Sequence, residues 1–294
     1  MRLIFRHILA VLAWGAFYIC FLFPFRFCSK VGGALGLLIY YLIANARKQA
    51  INNLSIAFPD FKLERIKQIA KKSFVNQGKN LFELFKFPSL NLNKVNSLVD
   101  FPDRANLEKA LSFGKGVLYL TAHFGNWELM GGSLSIWGFP INVIARKIYI
   151  EGINKLLVSL RETVGMKVIL RSQESSPRDI IRALKKNEVI GILIDQDTKV
   201  AGIFVNYFNR KAHTTIGLAT LALRSNTPVV SGFLIRGDKK HTLRVSSPLH
   251  LVRTGDREQD VLINTQNFTN IVEDIVREFP DQWVWMHNRW KTKE

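Results

Sequence analysis

The chain has 294 residues, 48% of them hydrophobic, which is enough for a full core and too much for a disordered chain. Lys and Arg number 41 against 23 Asp and Glu, a formal charge of +18, so its field attracts nucleic acid, anionic lipid or an acidic protein. The two cysteines, Cys20 and Cys28, exclude a disulfide framework, and no Cys/His cluster has zinc-finger spacing, so a reduced, cytoplasm-facing body is expected.

Ile8 to Phe25 carries no charge and lies between Arg2, Arg6 and His7 on one side and Arg26 and Lys30 on the other. A helix needs about 20 apolar residues to cross the hydrocarbon layer, so this run stands at the limit. A second run, Val31 to Ile43, is shorter and is closed by Arg47 and Lys48. Positive charge on both flanks argues against a cleaved signal peptide. A buried helix and a membrane helix, spanning or lying shallowly, are left; membrane attachment is the expectation, with Trp14, Tyr18, Tyr40 and Tyr41 as interface residues. The division expected is a hydrophobic anchoring segment over residues 1–50 and a globular domain over 51–294.

A turn at Phe58-Pro59-Asp60 precedes Leu63 to Phe85, where apolar residues at helical spacing alternate with lysines. The plain reading is a charge-rich amphipathic helix, and lipid contact is the sharper one. From residue 115 strands and helices alternate. Strands are expected at 116–123, 141–146, 167–170, 188–195, 228–236 and 241–251. Helices are expected at 127–138, 152–165, 176–187, 213–226 and 259–279, with Ser176 as a cap and Pro177 at a first helical position. This alternation implies an α/β fold with a largely parallel central sheet flanked by helices, in which ligands sit beyond the carboxyl ends of the strands. His123 and Asp195 fall at two such ends.

"TAHFGNWELM", Thr121 to Met130, holds a histidine and a glutamate five positions apart around a Gly-Asn pair. Helix neighbours are three or four apart, so the pair meets only if the backbone turns between them. Gly125 permits the turn and Asn126 is a good N-cap, which starts a helix near Trp127 with Glu128 in its first turn, facing back toward His123. A carboxylate on one imidazole nitrogen fixes the tautomer while the other nitrogen takes a proton from a hydroxyl. Ordinary strand-to-helix punctuation remains the bland alternative. A zinc site is disfavoured, because the spacing is not His-Glu-x-x-His and no third ligand is evident.

"HFGNWE" resembles the His-x4-Glu/Asp box of the lysophospholipid acyltransferase superfamily, in the branch of the lipid A biosynthesis late acyltransferases. "ARKQAINNLSIAFPD", "ALKKNEVIGILIDQD", "IFVNYFNRKAHTTIGLATLA" and "QWVWMHNRWK" resemble further segments of that family in the same order. The resemblance covers nearly the whole chain. It implies a glycerol-3-phosphate acyltransferase-like fold with an N-terminal membrane-associated helix, and an acyltransferase catalytic domain over 51–294. It makes His123 the general base and Glu128 its orienter. The implied reaction moves an acyl group from acyl carrier protein, or coenzyme A, to a hydroxyl of a membrane glycolipid. No bound cofactor or metal is implied.

Arg146 and Arg161 hold phosphate or polarise the thioester carbonyl on this reading, or are plain surface arginines. Asp195 joins the substrate-binding set or is a structural cap; relatives carry Asp-His-Asp where this chain has Asp195-Gln196-Asp197. His287 is disfavoured as a second base, and Arg289 and Lys291 are phosphate candidates. The expected partners are acidic acyl carrier protein, a Kdo-lipid A acceptor and an anionic surface, at the cytoplasmic face of a bacterial inner membrane. Competing readings are an acyltransferase for a phosphatidylinositol mannoside, a lysophospholipid or an aminolipid, or a basic, membrane-tethered binding protein without catalysis. Nucleic acid is disfavoured as a partner because the basic residues are scattered and carry no recognised motif.

Overall fold

Helical spacing rules the first part of the chain, and four helices come before any strand: α1 (Arg2–Leu22), α2 (Phe25–Leu42), α3 (Ala44–Ala57) and α4 (Leu63–Leu84). The computed structural model describes residues 2–171 and 176–294, and the side chains of residues 2–5 and of Ser176, with the cap expected there, fall outside the described residues. Pro24 cannot continue a helix, so the long apolar run splits there into the end of α1 and the start of α2. Helices α2 and α3 are bent by 92° at their junction. Among the described residues no single helix is long and apolar enough to cross a membrane.

Small residues let α2 lie against α4. A Cβ on Gly36 would fall 2.2 Å from the Phe74 carbonyl oxygen, and one on Gly78 would fall 2.1 Å from that of Gly32, so the two backbones nearly touch. Helix α1 meets the globular body: Trp14 Nε1 donates to the Gly152 carbonyl at 3.3 Å, and Phe17 packs edge-on against Phe85. Of the four expected interface aromatics, Tyr18 and Tyr41 are exposed, whereas Tyr40 is buried edge-on against Phe74.

The remaining elements are α5 (Leu92–Leu98), β1 (Val99–Asp100), α6 (Arg104–Ser112), β2 (Val117–Thr121), α7 (Trp127–Ile136), β3 (Ile141–Ala145), α8 (Glu151–Thr163), β4 (Lys167–Leu170), α9 (Ser176–Lys185), β5 (Val189–Leu193), β6 (Gly202–Tyr207), β7 (Arg210–Thr215), α10 (Gly217–Ser225), β8 (Val229–Ile235), β9 (His241–Val245) and α11 (Arg257–Glu278). Seven strands form one sheet in the order β1-β9-β8-β2-β5-β3-β4, parallel except for the antiparallel β8–β9 pair. All of β2 is buried because both sheet faces are covered: Leu118 and Leu120 enter one apolar cluster, Val117 and Tyr119 the other.

Two expectations need correction. Residues 213–215 belong to the antiparallel β6–β7 hairpin, and α10 begins only at Gly217. Phe208 and Asn209 turn that hairpin with positive φ, and a phenylalanine in such a turn hides the Asn-Gly signature that would have marked it. Strand β9 stops at Val245, short of the expected Leu251.

Candidate active site

Parallel pairing of β2 with β5 aligns Thr121 with Leu193, so His123 and Asp195, each two residues further on, emerge side by side at the carboxyl edge of the sheet. The chain then reverses. Gly125 adopts φ +56°, and a Cβ there would fall 1.8 Å from the Leu234 carbonyl oxygen. Asn126 caps α7, its side-chain oxygen accepting from the Leu129 amide at 2.9 Å. The C-terminal segment clamps the turn from outside: Phe124 pairs with Trp283, and the Gly125 amide donates to the Gln282 carbonyl at 2.9 Å. Gly125→Ala meets both strain and a clash, so it is expected to cost about 2–4 kcal/mol in stability. Thermal denaturation checks this; an unchanged Tm would mean that the turn tolerates a side chain.

The imidazole is held from one side. His123 Nδ1 lies 2.9 Å from Asp195 Oδ1, while Asp195 Oδ2 accepts from the His123 amide at 2.9 Å and from Trp283 Nε1 at 2.8 Å. Burial pushes the Asp195 carboxyl up, but the imidazole and the bonds from His123 and Trp283 outweigh it and hold the group below the ordinary aspartate range. An ionised Asp195 fixes the proton on Nδ1 and leaves the Nε2 lone pair for a substrate. Trp127 packs edge-on against the ring, with centroids 5.1 Å apart.

Glu128 opens the same helix and lines the same cavity as His123, but among the described residues its bonded partner is Arg161, on α8. Arg161 Nε donates to Glu128 Oε2 at 2.9 Å and Nη2 to Oε1 at 2.6 Å, a two-pronged pair. Burial opposes the guanidinium charge, but the Glu128 carboxylate outweighs it and raises the Arg161 pKa. The bond to the imidazole nitrogen expected from Glu128 is therefore made by Asp195. The reason is geometric: parallel pairing delivers Asp195 to the ring, and α8 delivers a cation to Glu128.

His123, Glu128 and Arg161 line a cavity of about 220 Å³ that runs inward between α7, β3, α8 and β4. Its inner wall is apolar, with Met130, Leu134, Ile141, Leu157 and Met166, and its rim holds His123, Glu128, Arg146 and Arg161. Arg146 is exposed there and donates to the Tyr149 hydroxyl at 3.0 Å. A slot with a basic, titratable mouth and a hydrocarbon-like interior accepts a chain with a polar head.

The other candidates sit elsewhere. Asp197 is buried and accepts from the amide and hydroxyl of Thr292. His287 Nε2 accepts from the Asp197 amide at 3.1 Å, which occupies the lone pair a base would need. Arg289 is 1% exposed and donates to the His213 carbonyl and the Thr214 hydroxyl. Arg289 is thus a strut under the β6–β7 hairpin and is not available to phosphate, whereas Lys291 is exposed.

Sequence reasoning missed the support behind the turn. Asn80 donates to the Gly125 carbonyl at 2.6 Å, and Asn126 donates to Glu83 Oε2 at 2.6 Å. Glu83, buried to 1% exposure, also accepts from Ser29 and from both terminal nitrogens of Arg236. Asn76, Asn80 and Glu83 recur at helical spacing on one face of α4, a polar stripe where a core helix should be apolar, and that was the available signal.

His241 lies beside this network. Burial, then Arg236, press its proton off; Glu83 favours it and Lys79 opposes it, and the pKa falls from 6.5 to about 4. A depressed histidine contributes stability that is complete above its unfolded pKa of 6.5 and is lost as pH falls toward 4. The loss amounts to about 3 kcal/mol at most. His241→Gln is therefore expected to flatten the stability–pH curve across that window, as denaturant titrations at each pH will show. An equal acid slope in both proteins would remove His241 from the account.

A family model described as bacterial lipid A biosynthesis acyltransferase matches residues 2–292. The chain is 23% identical to the lipid A biosynthesis palmitoleoyltransferase of Escherichia coli (strain K12), over 98% of this chain and 92% of that relative. It is 25% identical to the lipid A biosynthesis lauroyltransferase of the same organism, over 98% and 93%. It is also 24% identical to the phosphatidylinositol mannoside acyltransferase of Mycolicibacterium smegmatis, over 53% of this chain, which spans about half of that relative, 52% of its length.

Proposed function

The chain belongs to the bacterial lipid A biosynthesis acyltransferase family, and from that membership and the site geometry we propose that it transfers a fatty acyl group from a thioester to a hydroxyl of a membrane glycolipid. The observation that carries this reading is the His123–Asp195 contact at the mouth of an apolar slot. The slot takes the acyl chain of an acyl carrier protein thioester, or of a coenzyme A thioester, with the carbonyl at the rim. His123 Nε2 removes the proton of the acceptor hydroxyl, and the oxygen attacks the thioester carbonyl carbon. The tetrahedral oxyanion collapses, the C–S bond breaks, and the imidazolium returns its proton to the leaving thiolate.

Asp195 supports the imidazolium in this scheme, the part the resemblance gives to Glu128. Glu128 instead holds Arg161 against the rim; the Nη1 of Arg161 has no partner among the described residues and is available to the oxyanion. Arg146, exposed at the same rim, meets phosphate of the acceptor or the donor. The exposed apolar side chains of α1 and α2, among them Leu12, Leu22, Leu38 and Leu42, rest on a bacterial inner membrane at its cytoplasmic side. Acidic acyl carrier protein and anionic lipid are the partners that suit a charge of +18.

A Kdo-lipid A precursor is the acceptor this reading names first, because the matches to the lipid A relatives run nearly end to end. A phosphatidylinositol mannoside is the second, from the match over about half the chain. The purified protein, supplied with an acyl carrier protein thioester and each acceptor in turn, is expected to yield an acylated lipid by mass spectrometry. No product with any acceptor and either donor would overturn the reading in favour of a non-catalytic binding protein.

A further inference from the structure

A second concavity, of about 740 Å³, lies on the far side of the catalytic turn, between α2, α4 and the β8–β9 connection. Arg26, Lys30, Lys71, Lys72, Lys79 and Lys239 line it, and Arg236 joins them at its inner end. Three carboxylates face these seven cations, and one of them, Glu83, is already taken up by Arg236. Arg26, Lys30, Lys72, Lys79 and Lys239 have no ion pair among the described residues.

Lys79 is the most informative of them. It is half-buried, and burial together with Arg236 lowers its pKa. Holding an ammonium group beside a guanidinium, partly out of water, is unfavourable, and Glu83, Asp238 and Asp281 offset it only in part. An anion seated there would remove that cost.

The surroundings select the anion's carrier. Arg26, Lys30 and Leu37 turn one face of α2 to the groove, and the face next round the helix exposes Phe27, Leu38, Tyr41 and Leu42. The two are contiguous, since the Lys71 ammonium sits 5.2 Å from the Tyr41 ring centroid. A soluble acidic protein would leave that apolar band facing water. A lipid satisfies both, with phosphate among the lysines and acyl chains along α2.

We propose that this groove is a binding site for the phosphate headgroup of an anionic phospholipid, separate from the cavity at His123. It rests on the reading that α1 and α2 lie on a membrane surface, and it turns a diffuse attraction into a defined site. Its inner end touches the catalytic turn, because Glu83 bonds both Arg236 and Asn126.

Sedimentation of the full chain with phosphatidylcholine vesicles, with and without phosphatidylglycerol, tests the site. Lys30→Ala/Lys79→Ala is expected to weaken binding to the phosphatidylglycerol vesicles on the order of 10-fold or more. Lys185→Ala/Lys186→Ala, which removes equal charge at the exposed end of α9, is expected to weaken it only about 2-fold. Equal losses in the two pairs, or no loss in the groove pair, would overturn the site and leave a diffuse field. So would a loss confined to binding of acyl carrier protein, or groove protection by inorganic phosphate as strong as by vesicles. Circular dichroism and Tm confirm that both pairs fold. Sedimentation reads no chemistry, whereas transfer in detergent micelles reads no vesicle binding, so the site and the proposed activity fail separately.

Discussion

His123→Ala is expected to lower kcat/KM for acyl transfer by about 10²–10⁴-fold, the range that a positioned general base contributes. The imidazole is the titratable group at the cavity mouth whose Nδ1 is already bound and whose Nε2 is left for a hydroxyl proton. Because the ring is partly exposed and packs edge-on against Trp127, its removal opens no large internal void. Tm should therefore fall by only a few degrees, about what a loss of 1 kcal/mol produces. Full transfer by the alanine variant, measured with acyl carrier protein thioester under saturating acceptor, would refute the assignment of His123 as base.

Asp195→Asn should rival that loss, on the order of 10²–10³-fold in kcat. Asp195 accepts from three donors, the His123 amide, His123 Nδ1 and Trp283 Nε1. An amide in its place keeps one accepting oxygen and sets an NH2 group against the donors of the other. One escape is for the imidazole to move its proton to Nε2, the nitrogen that must stay free. Glu128→Gln makes the informative contrast, because it loosens Arg161 without touching the imidazole's tautomer. Its loss should be smaller, about 10-fold, and should be deepened little by adding Arg161→Lys, since the two act as one pair. If instead Glu128→Gln abolishes turnover while Asp195→Asn is mild, the orienting role returns to Glu128.

The turn is legible in its own residues. Gly125 carries the positive φ, Asn126 caps, and α7 begins at Trp127, because these depend on dihedral preference and on bonds within a few residues. Short apolar runs and helical spacing likewise located most strands of the mainly parallel sheet and the helices around it. Where a pattern was too short, as in β1, or a turn residue was atypical, as Phe208 in the β6–β7 hairpin, local reasoning lost the element.

Partner choice lay beyond it. Glu128 stands five residues from His123, Asp195 seventy-two, and it is Asp195 that meets the ring, because strand pairing brings the ends of β2 and β5 together regardless of the chain between them. The same holds for Trp283 against Asp195 and for Glu83 beneath Asn126. It also holds for Arg289, which reads as a surface phosphate ligand and is enclosed as a strut. By itself the sequence determined where the backbone turns and which chemical groups stand at the turn. Only the tertiary structure decided which group holds which, because hydrogen bonding and burial depend on distance in space, and sheet pairing rather than sequence separation sets that distance.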